Sequence, residues 1–291
     1  MKRFEDYNPI TVFLYFAAAT AVPMFWIDPV LSAFSLCGAV ALYILRGEAR
    51  LRDIAIYALL FVAMAAINPI FRHNGVTVLF VVGNNPITLE AILYGLVASA
   101  VILSVIIWYR SFSHIMTSDR LLYLFGRVSP KMALLISMAL RYIPLFAVQA
   151  KRVRDTQKVL GLYKEDNIAD DIRGGARVFN VMVGWALENG IITADSMAAR
   201  GYGIGRRSSF ALYKFARTDA LLLLVTLALF GTVVAFAALG DVTYSFYPSV
   251  QPPANKGAAV AVYAAYALLA FIPAIIEAGE SVKWKYLQSK I

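Results

Sequence analysis

A long basic block lies between stretches of sequence that carry almost no charge. It runs from Arg110 to Thr218 and holds 17 of the 27 Lys and Arg residues. The chain as a whole is 60% hydrophobic and only 15% charged, which is outside the range of ordinary soluble domains. These features predict a membrane protein that presents more than a third of its length to an aqueous compartment.

Six uncharged, apolar stretches are predicted to cross the membrane as helices. A helix needs about 20 apolar residues to cross the hydrocarbon core, with a workable range of about 17–25. The stretches are rich in Ala, Leu, Val and Gly, whereas barrel strands would alternate polar and apolar residues. The six stretches are Pro9–Trp26, Val30–Leu45, Ile54–Ile70, Ala91–Tyr109, Ala220–Leu239 and Ala258–Ile276.

The predicted fold is an all-α polytopic membrane protein with about six transmembrane helices. Long cytoplasmic helices lie between spans four and five. Residues 1–109 form an N-terminal membrane part with four spans, and residues 110–218 form the cytoplasmic block. Residues 219–291 form a C-terminal membrane part with two spans and a short cytoplasmic tail.

The distribution of basic residues predicts that both termini are cytoplasmic. In that orientation 25 Lys and Arg residues lie inside, and only Arg72 and Lys256 lie in outer loops. Short loops carry most weight in the positive-inside rule, and Arg46, Arg50 and Arg52 all fall in one short inner loop.

The stretch Met132–Ala150 is apolar apart from Arg141 and leaves two alternatives open. We predict an amphipathic helix along the inner membrane face or packed under the bundle. The alternative is a seventh span, which would put Lys214 and Arg217 outside, against the positive-inside rule. A central Arg would also cost at least about 3 kcal/mol in lipid.

Two long helices are predicted inside the basic block. Ser129 and Pro130 are typical of a helix start, and Pro144 should kink this helix or begin a second one. Gly161 is the expected C-terminal cap. Residues 164–167 are predicted as a turn, and the next helix is predicted to begin after a cap at Asp170 or Asp171 and to reach Gly201. It would be about 45 Å long.

Four glycines within that second helix are poor helix formers, each by about 1 kcal/mol relative to Ala. They predict either a close crossing by another helix or breaks in this one. The four are Gly174, Gly175, Gly184 and Gly190.

No catalytic, metal or cofactor site is predicted. Cys37 is the single cysteine, and His73 and His114 are separated by a span and have no nearby acidic or thiol partner in the sequence. The spans carry no ionisable residue at mid-depth, which disfavours a stand-alone transporter or an intramembrane hydrolase. The net charge of +9 is explained by inner loops near anionic lipid, so the bilayer, and no nucleic acid, is the expected partner.

Gly201, Gly203 and Gly205 do not indicate a nucleotide site. A glycine loop that cradles phosphates precedes a helix, whereas these glycines follow one. The chain also lacks a Walker motif, so no ATP binding of its own is predicted.

Four segments, in order along the chain, resemble the membrane T component of energy-coupling factor (ECF) transporters. Two of them flank the loop before the fourth span, and two lie in the basic block. They are Asn68–Phe80, Pro86–Gly95, Ala139–Leu145 and Ala194–Tyr202.

The resemblance implies a non-catalytic scaffold in the plasma membrane of a prokaryote. A T component joins two cytoplasmic ABC-type ATPases to a membrane S component that binds a vitamin or a transition-metal ion. In this family two long cytoplasmic helices place Ala-Arg-Gly tips in grooves on the ATPases. The competing readings are a stand-alone polytopic transporter and a membrane enzyme with its site in the basic block.

The tips implied by the resemblance differ in one respect. Arg200 matches the family arginine, but Leu160 stands where the first tip should carry one. That tip could dock by apolar contact, could use Lys158 or Arg154 instead, or could hold its ATPase more weakly. The six candidate docking residues are Val159, Leu160, Gly161, Ala199, Arg200 and Gly201.

Overall fold

The computed structural model of the chain describes residues 3–47, 50–71, 75–82, 85–162, 168–205, 213–239, 242 and 244–288. Contacts divide the chain into two compact units. One comprises Met1–Arg120 together with Tyr213–Ile291, and the other comprises Leu121–Leu212. The chain is 81% helical, which confirms the predicted all-α class.

The described residues form nine α-helices and one small β-hairpin. Five of the helices, α3, α4, α6, α8 and α9, are long and apolar enough to span a membrane, and α1 and α2 are shorter apolar helices. The nine are α1 (Pro9–Phe25), α2 (Pro29–Leu45), α3 (Leu51–Phe71), α4 (Leu89–Ile115), α5 (Ser118–Val128), α6 (Pro130–Val159), α7 (Ile168–Ala199), α8 (Arg217–Ala238) and α9 (Lys256–Gln288).

The first two helices begin where short polar residues cap them. The Asn8 side chain accepts a hydrogen bond from the Ile10 backbone N–H at 3.1 Å. The Asp28 carboxylate accepts from the Val30 N–H at 2.8 Å. A proline follows each cap, at the first helical position, where its missing N–H costs no hydrogen bond. With 17 residues each, α1 and α2 are at the lower limit of about 17–25 for a span.

The core of the first unit is held by polar groups that bond across helices. The Tyr15 hydroxyl donates to the Leu269 carbonyl at 2.8 Å, and the Tyr266 hydroxyl donates to the Ala19 carbonyl at 2.9 Å. These two bonds join α1 to α9 in opposite directions. A buried polar group in an apolar interior needs such a partner, so the pairs also fix the register of the two helices.

A β-hairpin that the sequence did not predict lies between α3 and α4. Strands β1 (Val78–Val82) and β2 (Asn85–Thr88) pair antiparallel. The Thr77 N–H donates to the Glu90 carboxylate at 3.2 Å, and the Thr77 hydroxyl bonds to the same group. Glu90 is buried in the first turn of α4, where a negative charge also suits the helix dipole.

The base of this hairpin, where Asn68 and Gly75 meet the start of α4, is called the hairpin junction. It brings together the first two segments on which the family resemblance rests. Asn68 of α3 donates to the Ala91 carbonyl of α4 at 3.1 Å. A Cβ at Gly75 would lie only 2.5 Å from a Glu90 carboxylate oxygen, so this position has room for glycine alone. His73 lies outside the described residues.

The second unit is built on α6 and α7. The Phe146 and Trp185 rings meet edge to face with centroids 5.4 Å apart. The Tyr142 and Thr193 hydroxyls are hydrogen-bonded at 2.7 Å. The helices therefore make contact through aromatic and hydroxyl side chains.

Helix α6 begins after Ser129, as predicted, and continues through Pro144 as one helix. The alternative that Pro144 begins a second helix is therefore wrong. Helix α7 begins at Ile168, so Asp170 and Asp171 lie in its first turn and do not cap it. Residues 164–167, predicted as a turn, lie outside the described residues.

The expectation of breaks in α7 is wrong, and within the described part of the chain the expectation of a close crossing is wrong at three of the four glycines. The helix runs unbroken from Ile168 to Ala199. A Cβ added at Gly175, Gly184 or Gly190 would meet no described atom within 4 Å, so no helix crosses closely there.

The predicted interfacial stretch Met132–Ala150 is part of α6. By length and composition α6 could also cross a membrane. The residues of its most apolar part are not buried within the structure. Its position at the inner face therefore stays a prediction, and the seventh-span alternative stays open.

Candidate functional site

The two candidate tips share one backbone conformation. At the end of α6 the Leu162 N–H donates to the Gln157 carbonyl at 2.9 Å, and the Gly161 N–H donates to the Lys158 carbonyl at 3.0 Å. This pair of bonds defines a Schellman cap, with Gly161 in the left-handed region at φ +69°.

The end of α7 repeats the same cap. The Tyr202 N–H donates to the Met197 carbonyl and the Gly201 N–H donates to the Ala198 carbonyl, both at 3.0 Å. Gly201 has φ +82°. Leu160 and Arg200 each immediately precede the capping glycine, so they hold equivalent positions in two equivalent helix ends.

The candidate docking residues are accessible in the described structure. Val159 is 88% exposed and Leu160 is 65% exposed, although both are apolar. Ala199 and Arg200 are exposed as well, and Gly161 is exposed while Gly201 is partly covered. Beyond the second cap, Ile204 is 86% exposed. Each tip therefore offers apolar surface beside its capped end.

Two arginines of α7 lie beside the first tip, and the sequence analysis did not single them out. The Arg177 guanidinium donates to the Leu162 carbonyl at 2.7 Å. Arg173 precedes it by one turn and lines an open pocket together with Arg177, Asp170, Gly161 and Leu162. No local signal connects these residues to the first tip, because the contact spans 15 positions of the chain.

A second polar cluster lies within the first unit, where α2 ends, α3 begins and α4 ends. The Arg110 guanidinium bonds to the Asp53 carboxylate at 2.7 Å and to the Tyr57 hydroxyl at 2.8 Å. The Tyr43 hydroxyl donates to the same carboxylate at 3.1 Å, and its ring lies 5.1 Å from the guanidinium carbon. The sequence analysis counted Arg110 with the basic block, whereas the structure places it in α4 as the partner of Asp53.

This cluster should stabilise the junction of α2, α3 and α4. We expect Arg110→Ala to lower the free energy of unfolding by about 1–2 kcal/mol, because hydrogen bonds to charged groups contribute about 1.5–3 kcal/mol and the pair is partly exposed. Thermal unfolding of the purified protein in detergent measures the loss. Asp53→Asn should cost little more once Arg110 is absent, since both changes break one pair. Fully additive losses would show that the two residues act independently.

Among the residues described, no group of three or more His, Cys, Asp or Glu side chains could hold a metal ion. Cys37 is a free thiol in α2. His114 lies in the last turn of α4.

Comparison with known proteins gives the family. The model of the CbiQ cobalt transport protein family matches residues 6–212. The chain belongs to this family, which comprises the T components of ECF transporters. The match includes the hairpin junction and both tips, so all four segments of the resemblance lie within it. The chain is therefore a multi-pass membrane protein of a cobalt transport family.

A curated relative is similar over part of its length. Uncharacterized protein MG181 of Mycoplasma genitalium is 29% identical over 112 residues. The alignment covers 38% of this chain and 27% of that protein, so the chain spans about a quarter of the relative it matches.

Proposed function

We propose that this protein is the scaffold and energy-coupling subunit of an ECF-type ABC importer. It links two ABC-type ATPases to a membrane S component and transmits their ATP-driven motion for uptake of a vitamin or a transition-metal ion. It has no catalytic role of its own. The observation that carries this proposal is the pair of exposed, identically capped helix ends on α6 and α7, within a chain of the CbiQ family.

The spacing of the tips suits two separate partners. The first tip lies beside Arg177 of α7, and the second tip lies at Arg200, just beyond the end of the same helix. These two arginines are 23 positions apart in the chain. At 1.5 Å per residue this is about 35 Å, and a small domain is about 30 Å across. The two tips are therefore far enough apart to contact two different subunits.

Arg200 is suited to bind a carboxylate on its ATPase. Its planar guanidinium can make two parallel hydrogen bonds to one carboxylate, which a neutral side chain cannot do. The Schellman cap fixes the backbone conformation at Arg200, so binding costs less conformational entropy.

Co-purification tests the proposal against its two competitors. The chain is expressed with candidate ABC ATPases and a candidate small S protein, and the complex is analysed by native mass spectrometry. We expect two ATPases and one S component per chain. We also expect ATP hydrolysis by the complex and none by the purified chain alone. A chain that transports substrate without ATPases, or that hydrolyses ATP by itself, would contradict the proposal.

The proposal places both termini, α6 and α7 on the cytoplasmic side. Polar contacts at two opposite ends of the first unit support an arrangement in which successive helices run in opposite directions across the membrane. Arg46 lies 3.7 Å from Glu5 at one end. At the other end Tyr263 donates to Asp28 at 2.8 Å.

Cysteine labelling in intact cells, in a Cys37→Ala background, measures this topology. We expect an impermeant thiol reagent to label Val76→Cys and Ala254→Cys from outside but not Asp155→Cys. Val76 is a better site than its neighbour Gly75, because it is 72% exposed whereas a side chain at Gly75 would collide with Glu90. Labelling of Asp155→Cys alone would show that the chain has the opposite orientation in the membrane.

A further inference from the structure

The first tip has the same cap as the second but lacks its arginine. Leu160 occupies the position that Arg200 occupies at the end of α7. If both tips bind ATPases, the first needs another source of positive charge or binds by apolar contact alone. The structure points to a source on the neighbouring helix.

Arg177 of α7 reaches the end of α6. Its Nη1 donates to the Leu162 carbonyl at 2.7 Å, just beyond the capping glycine. The last carbonyls of a helix carry partial negative charge, so a guanidinium is stabilised in this place. The contact uses one of the five N–H donors of the arginine and holds the rest of the group at the tip.

Arg173 adds a second guanidinium on the same face of α7. It lies four residues before Arg177, a spacing that brings side chains together on one helix face. Its side chain is 76% exposed, and its contact with Asp170 is loose, at 3.9 Å. Among the described residues, the pocket lined by these side chains, Gly161 and Leu162 contains two guanidinium groups and one carboxylate.

We propose that Arg173 and Arg177 supply the first tip with the charge that Leu160 lacks, and that the pocket binds a carboxylate of the ATPase docked there. This inference rests on the proposed function. A guanidinium can bind a side-chain carboxylate through two parallel hydrogen bonds, and among the described lining residues two guanidinium groups accompany one carboxylate, that of Asp170. The exposed Val159 and Leu160 supply apolar contact beside it.

The test counts ATPases per chain in the assembled complex. In the Arg173→Ala/Arg177→Ala variant we expect one of the two ATPases to bind roughly tenfold more weakly, as loss of one side of a charged interface pair predicts. The other ATPase, at Arg200, should be retained. Arg152→Ala, which removes an exposed charge from α6 away from the pocket, is the matched control and should keep both.

Rescue separates a binding role from a structural one. Leu160→Arg, added to the double variant, places a guanidinium at the position equivalent to Arg200 and should restore the second ATPase. A loss that this change does not rescue would show that Arg177 only holds the cap, and would overturn the inference.

Further outcomes separate this inference from the proposed function. If the double variant keeps both ATPases while Arg200→Ala loses one, the inference is wrong and the proposed function stands. The inference is also wrong if the double variant loses only its retention on vesicles of anionic lipid, because the arginines then bind lipid phosphate. If the wild-type chain binds no ATPase, the proposed function itself fails.

Discussion

Replacement of Arg200 by alanine should release the ATPase that docks at the end of α7. The change removes an exposed guanidinium from the capped tip and leaves the partner carboxylate unpaired in the interface. Loss of one side of such a pair costs about 2–5 kcal/mol, which weakens association well over tenfold. Pull-down of the ATPases and transport by the assembled complex measure the effect.

Two further variants show whether charge and geometry both matter at this tip. Arg200→Lys keeps the charge but loses the planar fork, so it should fall between wild type and Arg200→Ala. Leu160→Ala is the matched change at the other tip, which has the same cap. It should remove apolar contact only, and its effect should hardly depend on salt, whereas that of Arg200 should weaken as salt rises. Wild-type binding and transport by Arg200→Ala would show that Arg200 does not dock.

Local signals in the sequence located several helix ends, although not the start of α7. The predicted spans that begin at Pro9 and Val30 start within one residue of α1 and α2. Gly161 and Gly201 both take the left-handed conformation that a Schellman cap requires. These features depend on residues within one turn, so the sequence alone can show them.

The β-hairpin was missed because its strands do not resemble half-buried strands. Val78–Val82 is a short apolar run without alternation, and periodicity cannot assign such a run. Its position is fixed by Thr77 and Glu90, which are 13 residues apart. The pairing of Arg110 with Asp53 spans 57 positions and likewise leaves no local trace.

The first tip shows the same limit at the candidate site. From the sequence, Lys158 and Arg154 were the proposed substitutes for the missing arginine because they are near Leu160 in the chain. The structure adds Arg177 of α7, which bonds to the Leu162 carbonyl at the cap. This contact depends on how α6 and α7 pack together, which the residues near Leu160 in the chain do not show.

The second large effect is expected at Gly38, where α2 lies very close to α9. A Cβ at this position would lie 2.7 Å from the Ala270 carbonyl oxygen and 3.0 Å from the Ala270 Cβ. The obstructing atoms include backbone, so the helices themselves must separate. Small residues allow such close approach between membrane helices, and contact between the helices supplies much of their attraction.

We therefore expect Gly38→Leu to prevent stable assembly of the first unit. Overpacking typically costs about 1–3 kcal/mol, and a clash with backbone belongs at or above the upper end of that range. Separation of α2 from α9 would also strain the hydrogen bonds that join α9 to α1, such as that of Tyr15 with Leu269. The loss should appear as aggregation on size-exclusion chromatography and as a lower midpoint of thermal unfolding.

Gly231→Leu is the matched control for this change. Gly231 lies inside α8, and a Cβ there would meet no described atom within 4 Å. The two variants add the same side chain to an apolar helix, so hydrophobicity and helix propensity change equally. Gly231→Leu should remain monodisperse and keep its thermal midpoint, because the added side chain has open space. If the two variants behave alike, the close contact of α2 with α9 does not limit stability.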